Sequence, residues 1–592
     1  MRRWLFMYLK QGKRKDGRIY LVLAKSVRDP VKKVSRTVTV ESLGYLDELE
    51  KKHSDPIAFY TAEALRRTAE EALGTKPVLL KINPKETLTL VSGQRKNLGF
   101  AVISRIFHQL DLDSFFLNKQ RYAGFEFNAL SITKLLIYSR LLWPCSKKKT
   151  WENRNAFFED FKFSIDDVYR CLSFLGELKE ELSLFLHQQV EKQYGRKTDI
   201  VYYDVTNYYF ETDKQDDLKK KGYSKEGRRS PIVQMGLFMD TDGIPITYQL
   251  FPGNTVDCKT VIPLLSQVQR QYDMGRVVVV ADRGVISGDV IYYALSAKNG
   301  YVFSYSIRGA DAAFQAYVLD QNGYVDAEGK PVPLTVDDDG NNARSVFKMK
   351  SRLSPREIHV TTIDGKKKKR TVHEKHVVFY SDKYAERARK ERALAIAKAR
   401  DLMATPSKFD QSTAHGAAKY VKNLRFDKQT GEVLHDAGKI LLLNEDKIKQ
   451  EERFDGYYAL VTSEYKLSDQ KIVDIYRGLW QIEDTFRISK GELETSPVYL
   501  SREDRIQAHF LTCFVALVIG RILEKSLEDK YSMGAILESL SKASGSLVEQ
   551  NTYVFDYLDE LLLAIGAKYD VDFTLKYRRL GDLKKILGHT KK

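Results

Sequence analysis

The chain has 592 residues, more than one hydrophobic core usually covers, so about three or four domains are expected. Its 43% hydrophobic and 30% charged content excludes general disorder, while a formal net charge of +17 favours a polyanionic partner, nucleic acid or an anionic membrane surface. Four cysteines, Cys145, Cys171, Cys258 and Cys513, lie too far apart for a CxxC metal knuckle or a dense disulfide framework and fit a reducing cytoplasm. The opening MRRWLFMYLK is too short in apolar residues for a signal peptide. The longest apolar run, 510–520, falls short of a membrane span, so a cytoplasmic protein outside the membrane is expected.

Residues 1–92 read as a small basic β module with a linker helix. The alternation in RIYLVLAKSVRDPVKKVSRTVTVESLGYL predicts two or three strands, 55–73 a short helix, and 74–92 a connection. From 93 to 196 the pattern is helical, through LGFAVISRIFHQL, ALSITKLLIYSRLL and VYRCLSFLGELKEELSLFLHQQVEKQYG, with Ser164 and Asp167 at capping-box spacing. Such a region can place a helix in a DNA groove or form a plain bundle.

Strands begin at 199: DIVYYDVTNYYFE, PIVQMGLFMDTDG and IPITYQLFPGN, with Asp242-Gly243 as a hairpin turn. A helical stretch, the strand VVVVADRG, a second helical stretch and the strand YVFSYSI follow, which describes a mixed α/β sheet over 197–307. Residues 308–455 break this order and read as a β-rich insertion projecting from the core. Turns fall at Asn322-Gly323 and Asp364-Gly365, a basic hairpin GKKKKR at 365–370, then one long charged helix, SDKYAERARKERALAIAKARDLM. The tract DDDGNN (337–342) lacks the glycine and glutamate of a calcium loop and reads as a turn. The α/β pattern resumes over 456–540 and a basic amphipathic tail closes the chain over 541–592.

Within that second part, IYRGLWQIEDTFRISK reads as one helix. Tyr476, Glu483 and Lys490 recur every seven residues and drift by only about 20° each time. Ile472, Ile475, Leu479, Ile482 and Phe486 make the buried line. Ser468, followed by Asp469, is its expected N-cap. Three carboxylates stand where phosphodiester chemistry would need them, because two-metal sites take hard oxygen ligands from separate elements. Asp204 lies inside an apolar strand, where a carboxylate is costly unless liganded or paired. Asp282 ends a strand at the edge where α/β sheets build sites. Glu483 lies on the helix. Glu211 and Asp213 rival Asp204, although alternation turns Glu211 to the opposite strand face.

YYDVTNYYFE, GLFMDTDGIPITYQLFPGN, VVVVADRG and YRGLWQIEDTFRISK resemble the catalytic core of bacterial DDE insertion-sequence transposases. The branch is the one with a tyrosine-arginine-glutamate-lysine signature (the insertion-sequence-four superfamily), and the likeness is close over 199–310 and 455–525. It implies a ribonuclease-H-like core split by a β-rich insertion, and DNA cutting and joining by two-metal chemistry. Asp204, Asp282 and Glu483 would be the metal ligands, with Mg2+ as cofactor and Mn2+ able to substitute. Double-stranded DNA, as terminal inverted repeats and target, would be the partner of a homodimer. Tyr476, Glu483 and Lys490 match the signature, but its arginine slot holds Leu479. Arg487, about 40° from the Glu483 stripe against about 120° for Arg477, is expected to replace it and to point toward the metals.

Arg283 and Trp480 are further DNA-contact candidates, with Trp480 either stacking on a displaced base or, by default, buried beside Leu479. His509 reads as a packing histidine or a DNA contact, Asn254 as a turn residue or a neighbour of the metals. Two other functions stay open: a catalytically dead transposase-derived DNA-binding protein, separated by a metal-dependent nicking assay, and a metal-dependent nuclease without strand transfer, separated by pre-cut ends.

Overall fold

The computed structural model describes residues 7–14, 16–28, 35–72, 85, 95–222, 230–332, 347–362, 364–411, 413–414, 416–427, 432–434, 440–549 and 551–591. The DDDGNN tract and nearly all of 74–92 lie outside them. Two units are distinguished, Met1–Leu88 and Thr89–Lys592. In the first, strands Met7–Lys13, Ile19–Arg28 and Ser35–Tyr45 form an antiparallel meander, followed by the helix Pro56–Ala72. Met7, Leu23 and Ala64 make its small core, and the Met7 amide donates to Thr68 Oγ1 at 3.0 Å.

The second unit is organised by an eight-stranded sheet. Across it run Phe347–Thr361, Lys367–Ser381, Tyr457–Thr462, Gly300–Tyr305, Val278–Ala281, Ile200–Tyr209, Ile232–Met239 and Pro245–Pro252. Ile200–Tyr209, Ile232–Met239 and Pro245–Pro252 are an antiparallel meander turned at Gly243 (φ +80°), and Val278–Ala281 and Gly300–Tyr305 add in parallel on the other side. That order is the one a ribonuclease-H-like core has. Parallel strands need covered faces. Val201, Tyr203 and Val205 pack toward helices Val261–Gln271 and Gly288–Ser296, whereas Tyr202 and Tyr208 face the large core that holds the helix Glu503–Ser526.

The domain expectations need correction in three places. The strands of the expected insertion do not form a projecting subdomain. Residues 375–380 pair with 457–462, so the long hairpin extends the central sheet at its edge. Val377 and Phe379 on one face and Val378 on the other suit a strand buried on both sides, but nothing local names the edge that will accept it. The part built on the helix Asp382–Ala404 has its own small core, with Ala399, Leu402, Tyr420 and Val421. Past the sheet the hairpin continues as a two-stranded ribbon, with Ile358, Val360 and Val372 packed over Gly288–Ser296. Gly288 permits this approach, since a Cβ there would stand 2.1 Å from the His359 carbonyl oxygen. The basic tip, 366–370, is exposed.

The helical region is not a separate domain. Helices Phe100–Gln109, Ala129–Leu142 and Ile165–Glu177 surround Glu503–Ser526 in one core. That central helix is long and apolar enough to cross a membrane, which exceeds the sequence expectation, yet 94% of its apolar window is buried within the protein. The closing segment is not a tail. Ser544–Glu549, Thr552–Phe555 and Tyr577–Arg579 form a four-stranded sheet with Arg95–Asn97, and the Asn97 side-chain Nδ2 donates to the carbonyls of Leu540 and Ser541.

Candidate active site

The polar row at the middle of the sheet is set by register. Tyr203 pairs with Ala281 and Ala281 with Phe303, so Asp204, Asp282 and Ser304 occupy the next position on three neighbouring parallel strands. Outward along the same row stand Leu237 and Leu460, which leaves the polar groups in the centre. By alternation Asp204 shares its face with Tyr202 and Tyr208. The Tyr202 hydroxyl meets the Ile475 carbonyl at 3.2 Å, and the Tyr208 hydroxyl meets Ser489 Oγ at 2.9 Å. Six strand residues span about 20 Å and fourteen helical residues about 21 Å. The segment carrying Glu483 therefore runs along this strand on the face that Asp204 shares.

That segment is two helices, not the one expected. Asp469–Arg477 is capped by Ser468, whose side chain accepts from the Lys471 amide, and Trp480–Lys490 follows after Gly478 and Leu479. The apolar line is buried as expected. Asp204 is half-buried, Asp282 and Glu483 are exposed. The Tyr476 hydroxyl lies 3.4 Å from Asp282 Oδ1. Burial raises the Tyr476 phenol well above its usual value, and the charges of Asp282 and Glu483 add to this. Among the described residues no three His, Cys, Asp or Glu side chains are drawn into a ready-made metal cluster. The donor set of Asp204, Asp282 and Glu483, all hard carboxylate oxygens from three elements, nevertheless fits a divalent magnesium-type ion.

Arg487 does not turn toward this site as expected. Its guanidinium is held by Asp484 at 2.8 Å and Glu492 at 3.1 Å. Asp484 also receives Arg521 at 2.9 Å, and these two cations keep its carboxyl below the usual range although burial opposes its charge. Acids three and five positions away capture the side chain before it can reach across. Trp480, expected to be buried, is 61% exposed. Arg477 lies over the Phe347 ring at 4.8 Å, and Lys490 over the Tyr208 ring at 5.7 Å. His509 is a packing residue: its Nε2 bonds the Thr495 carbonyl at 2.9 Å, and burial pushes it well below its usual value. Asn254 is exposed just beyond the strand Pro245–Pro252, and Glu211 and Asp213 are exposed beyond Tyr209.

A cleft of about 360 Å³ opens beside Asp282, lined among others by Arg283, Ser304, Arg308, Tyr458 and Tyr476. Of these, Ser304, Arg308 and Tyr458 were not singled out from the sequence. Ser304 left one signal, a hydroxyl in the otherwise apolar strand YVFSY. Arg308 and Tyr458 left none.

Comparison with known proteins adds the following. The model of the "Transposase DDE domain" matches residues 196–519, over half of the chain. That of the "IS1634 family transposase, N-terminal domain" matches residues 9–76. No curated protein sequence matches. Among solved structures, a pre-cleavage Mos1 transpososome is similar at 15% identity and TM-score 0.13, over 33% of this chain and 63% of that one. A Mos1 transposase paired-end complex with the left transposon end is similar at 17% identity and TM-score 0.13, over 33% and 62%. This chain thus spans less than two thirds of the length of either.

Proposed function

The chain belongs to the DDE transposase family, and from that premise we propose that it cuts and joins the ends of a DNA element by metal-dependent phosphodiester hydrolysis and strand transfer. The family uses divalent metal ions. In this reading Asp204, Asp282 and Glu483 hold them, with Mg2+ as the working ion and Mn2+ able to replace it. Such ions, when bound, make water nucleophilic at neutral pH and stabilise the leaving oxygen. The observation that carries the reading is the register that sets Asp204 beside Asp282 on parallel strands, with the Glu483 helix running along the same face.

The chain's own residues would then grip the substrate. Arg283 and Arg308 line the cleft beside Asp282, and Lys490 stands at the far end of the helix. These cations would meet phosphates. Exposed Trp480, one turn before Glu483, offers a ring face to a base. Tyr476, Glu483 and Lys490 support assignment to the tyrosine-arginine-glutamate-lysine branch. Buried Leu479 in the arginine slot means that a phosphate clamp comes from another element. Terminal inverted repeats bound by a homodimer in the cytoplasm complete the proposal.

Cleavage of linear DNA carrying the element's ends tests it. Wild-type protein with Mg2+ is expected to nick and then join. Asp204→Asn, Asp282→Asn and Glu483→Gln are each expected to abolish both steps while still binding the DNA. Nicking that survives any one of these changes would overturn the assignment, and cutting without joining would favour the nuclease.

A further inference from the structure

Ser304 sits 9% exposed at the end of the strand Gly300–Tyr305, beside Asp282 in the polar row. Its hydroxyl donates to Asp282 Oδ1 at 2.5 Å. The Arg283 amide donates to the same oxygen at 2.7 Å and also to Ser304 Oγ at 2.8 Å. The Tyr476 hydroxyl approaches Oδ1 as well, at 3.4 Å. Three donors from three elements thus converge on one carboxylate oxygen. An oxygen with its lone pairs so engaged has little left for a cation, whereas the other oxygen of the group keeps its own.

We propose that Ser304 is a positioning residue: with the Arg283 amide and the Tyr476 hydroxyl it clamps Oδ1 of Asp282 and presents Oδ2 to a divalent cation as a single-oxygen ligand. The proposal rests on the metal-binding role given to Asp282 above. Partners of this kind orient a ligand before the ion arrives, and their loss weakens the site even though they never touch the metal. Serine suits the place because its short side chain reaches the neighbouring strand's carboxylate, while Tyr305, next along, belongs to the opposite face by alternation.

The test is Mn2+ binding to the full chain, followed by electron paramagnetic resonance, with melting temperature measured alongside. Ser304→Ala is expected to weaken Mn2+ binding by about 10-fold or more, the range found when a ligand's outer partner is removed. DNA-end cleavage by this variant should recover as Mn2+ is raised. Ser304→Thr, which keeps the hydroxyl, is expected to bind near the wild-type level. Tyr476→Phe removes a longer bond and should weaken binding less, and it carries the same test if Ser304→Ala melts early. If wild type binds Mn2+ and Asp282→Asn does not, yet a folded Ser304→Ala binds as wild type does, the positioning role alone is overturned. If Asp282→Asn binds as tightly as wild type, the metal reading and the proposal fall together.

Discussion

The Tyr202 hydroxyl donates to the carbonyl oxygen of Ile475 at 3.2 Å, at the point where the helix Asp469–Arg477 gives way to Trp480–Lys490. The Ile475 carbonyl takes the Gly478 amide at 3.2 Å, while the Leu479 amide turns to Tyr476 at 3.0 Å, so the turn tightens. A side chain inserted into the backbone ladder is a known cause of a helix break. The break resets the phase between Tyr476 and Glu483, which an unbroken helix would have fixed.

Gly478 is what lets the strand come so close, since a Cβ there would stand 1.9 Å from the Tyr202 hydroxyl oxygen. Gly478→Ala is expected to destabilise by about 1–3 kcal/mol, as overpacking does, and to lower DNA cleavage by displacing Glu483. Tyr202→Phe is expected to cost about 0.5–1.5 kcal/mol through the lost bond. Urea denaturation with a cleavage assay checks both. Wild-type stability in Gly478→Ala would show that the junction yields.

Arg487 and Arg521 both hold Asp484, but only Arg521 is buried, at 8% side-chain exposure. Arg487→Ala should change stability by no more than about 1 kcal/mol, as expected of an exposed pair, and leave cleavage at the wild-type rate. Arg521→Ala strips a buried network that also includes Thr485 and Glu524, and should cost about 3–5 kcal/mol. A cleavage defect in a folded Arg487→Ala protein would restore the clamp role that its ion pairs argue against.

Lys147 is buried at 6% exposure, and burial, with Arg140 nearby, lowers its ammonium to about 7. Its unfolded value is about 10.4. Between these two values the unfolded chain holds a proton that the folded chain lacks, so this group makes stability rise with pH from about 7 to about 10. Lys147→Met should remove that slope and be more stable than wild type at pH 7. Denaturation midpoints at pH 7 and 9 decide the matter, and equal slopes would mean that Lys147 keeps its proton in the fold.

Trp480 and Arg283 are both exposed yet should act on DNA differently. Trp480→Ala is expected to lower affinity by about 1–3 kcal/mol, the value of one stacked base, with the salt dependence unchanged. Arg283→Gln should flatten the salt dependence by about one phosphate contact. Binding isotherms at several salt concentrations separate the two, and a Trp480→Ala protein with wild-type affinity would leave that ring without a role.

By itself the sequence determined whatever depends on near neighbours. The Ser164–Asp167 capping box, the Ser468 cap, the turn at Gly243 and the buried line from Ile472 to Phe486 all follow from side chains acting on their own backbone or from a repeat that local geometry imposes. So does the alternation that sets Asp204 on one strand face. The tertiary structure alone decided what depends on partners remote in the chain. Tyr202 breaks a helix some 270 residues away, the hairpin 347–381 finds a sheet edge formed by 457–462, and the helices before 196 close around Glu503–Ser526. Ser304 meets Asp282 through strand register, and exposure of Trp480 follows from what does not cover it. Each is a choice among competing long-range pairings of similar local chemistry, and packing of the whole chain selects one.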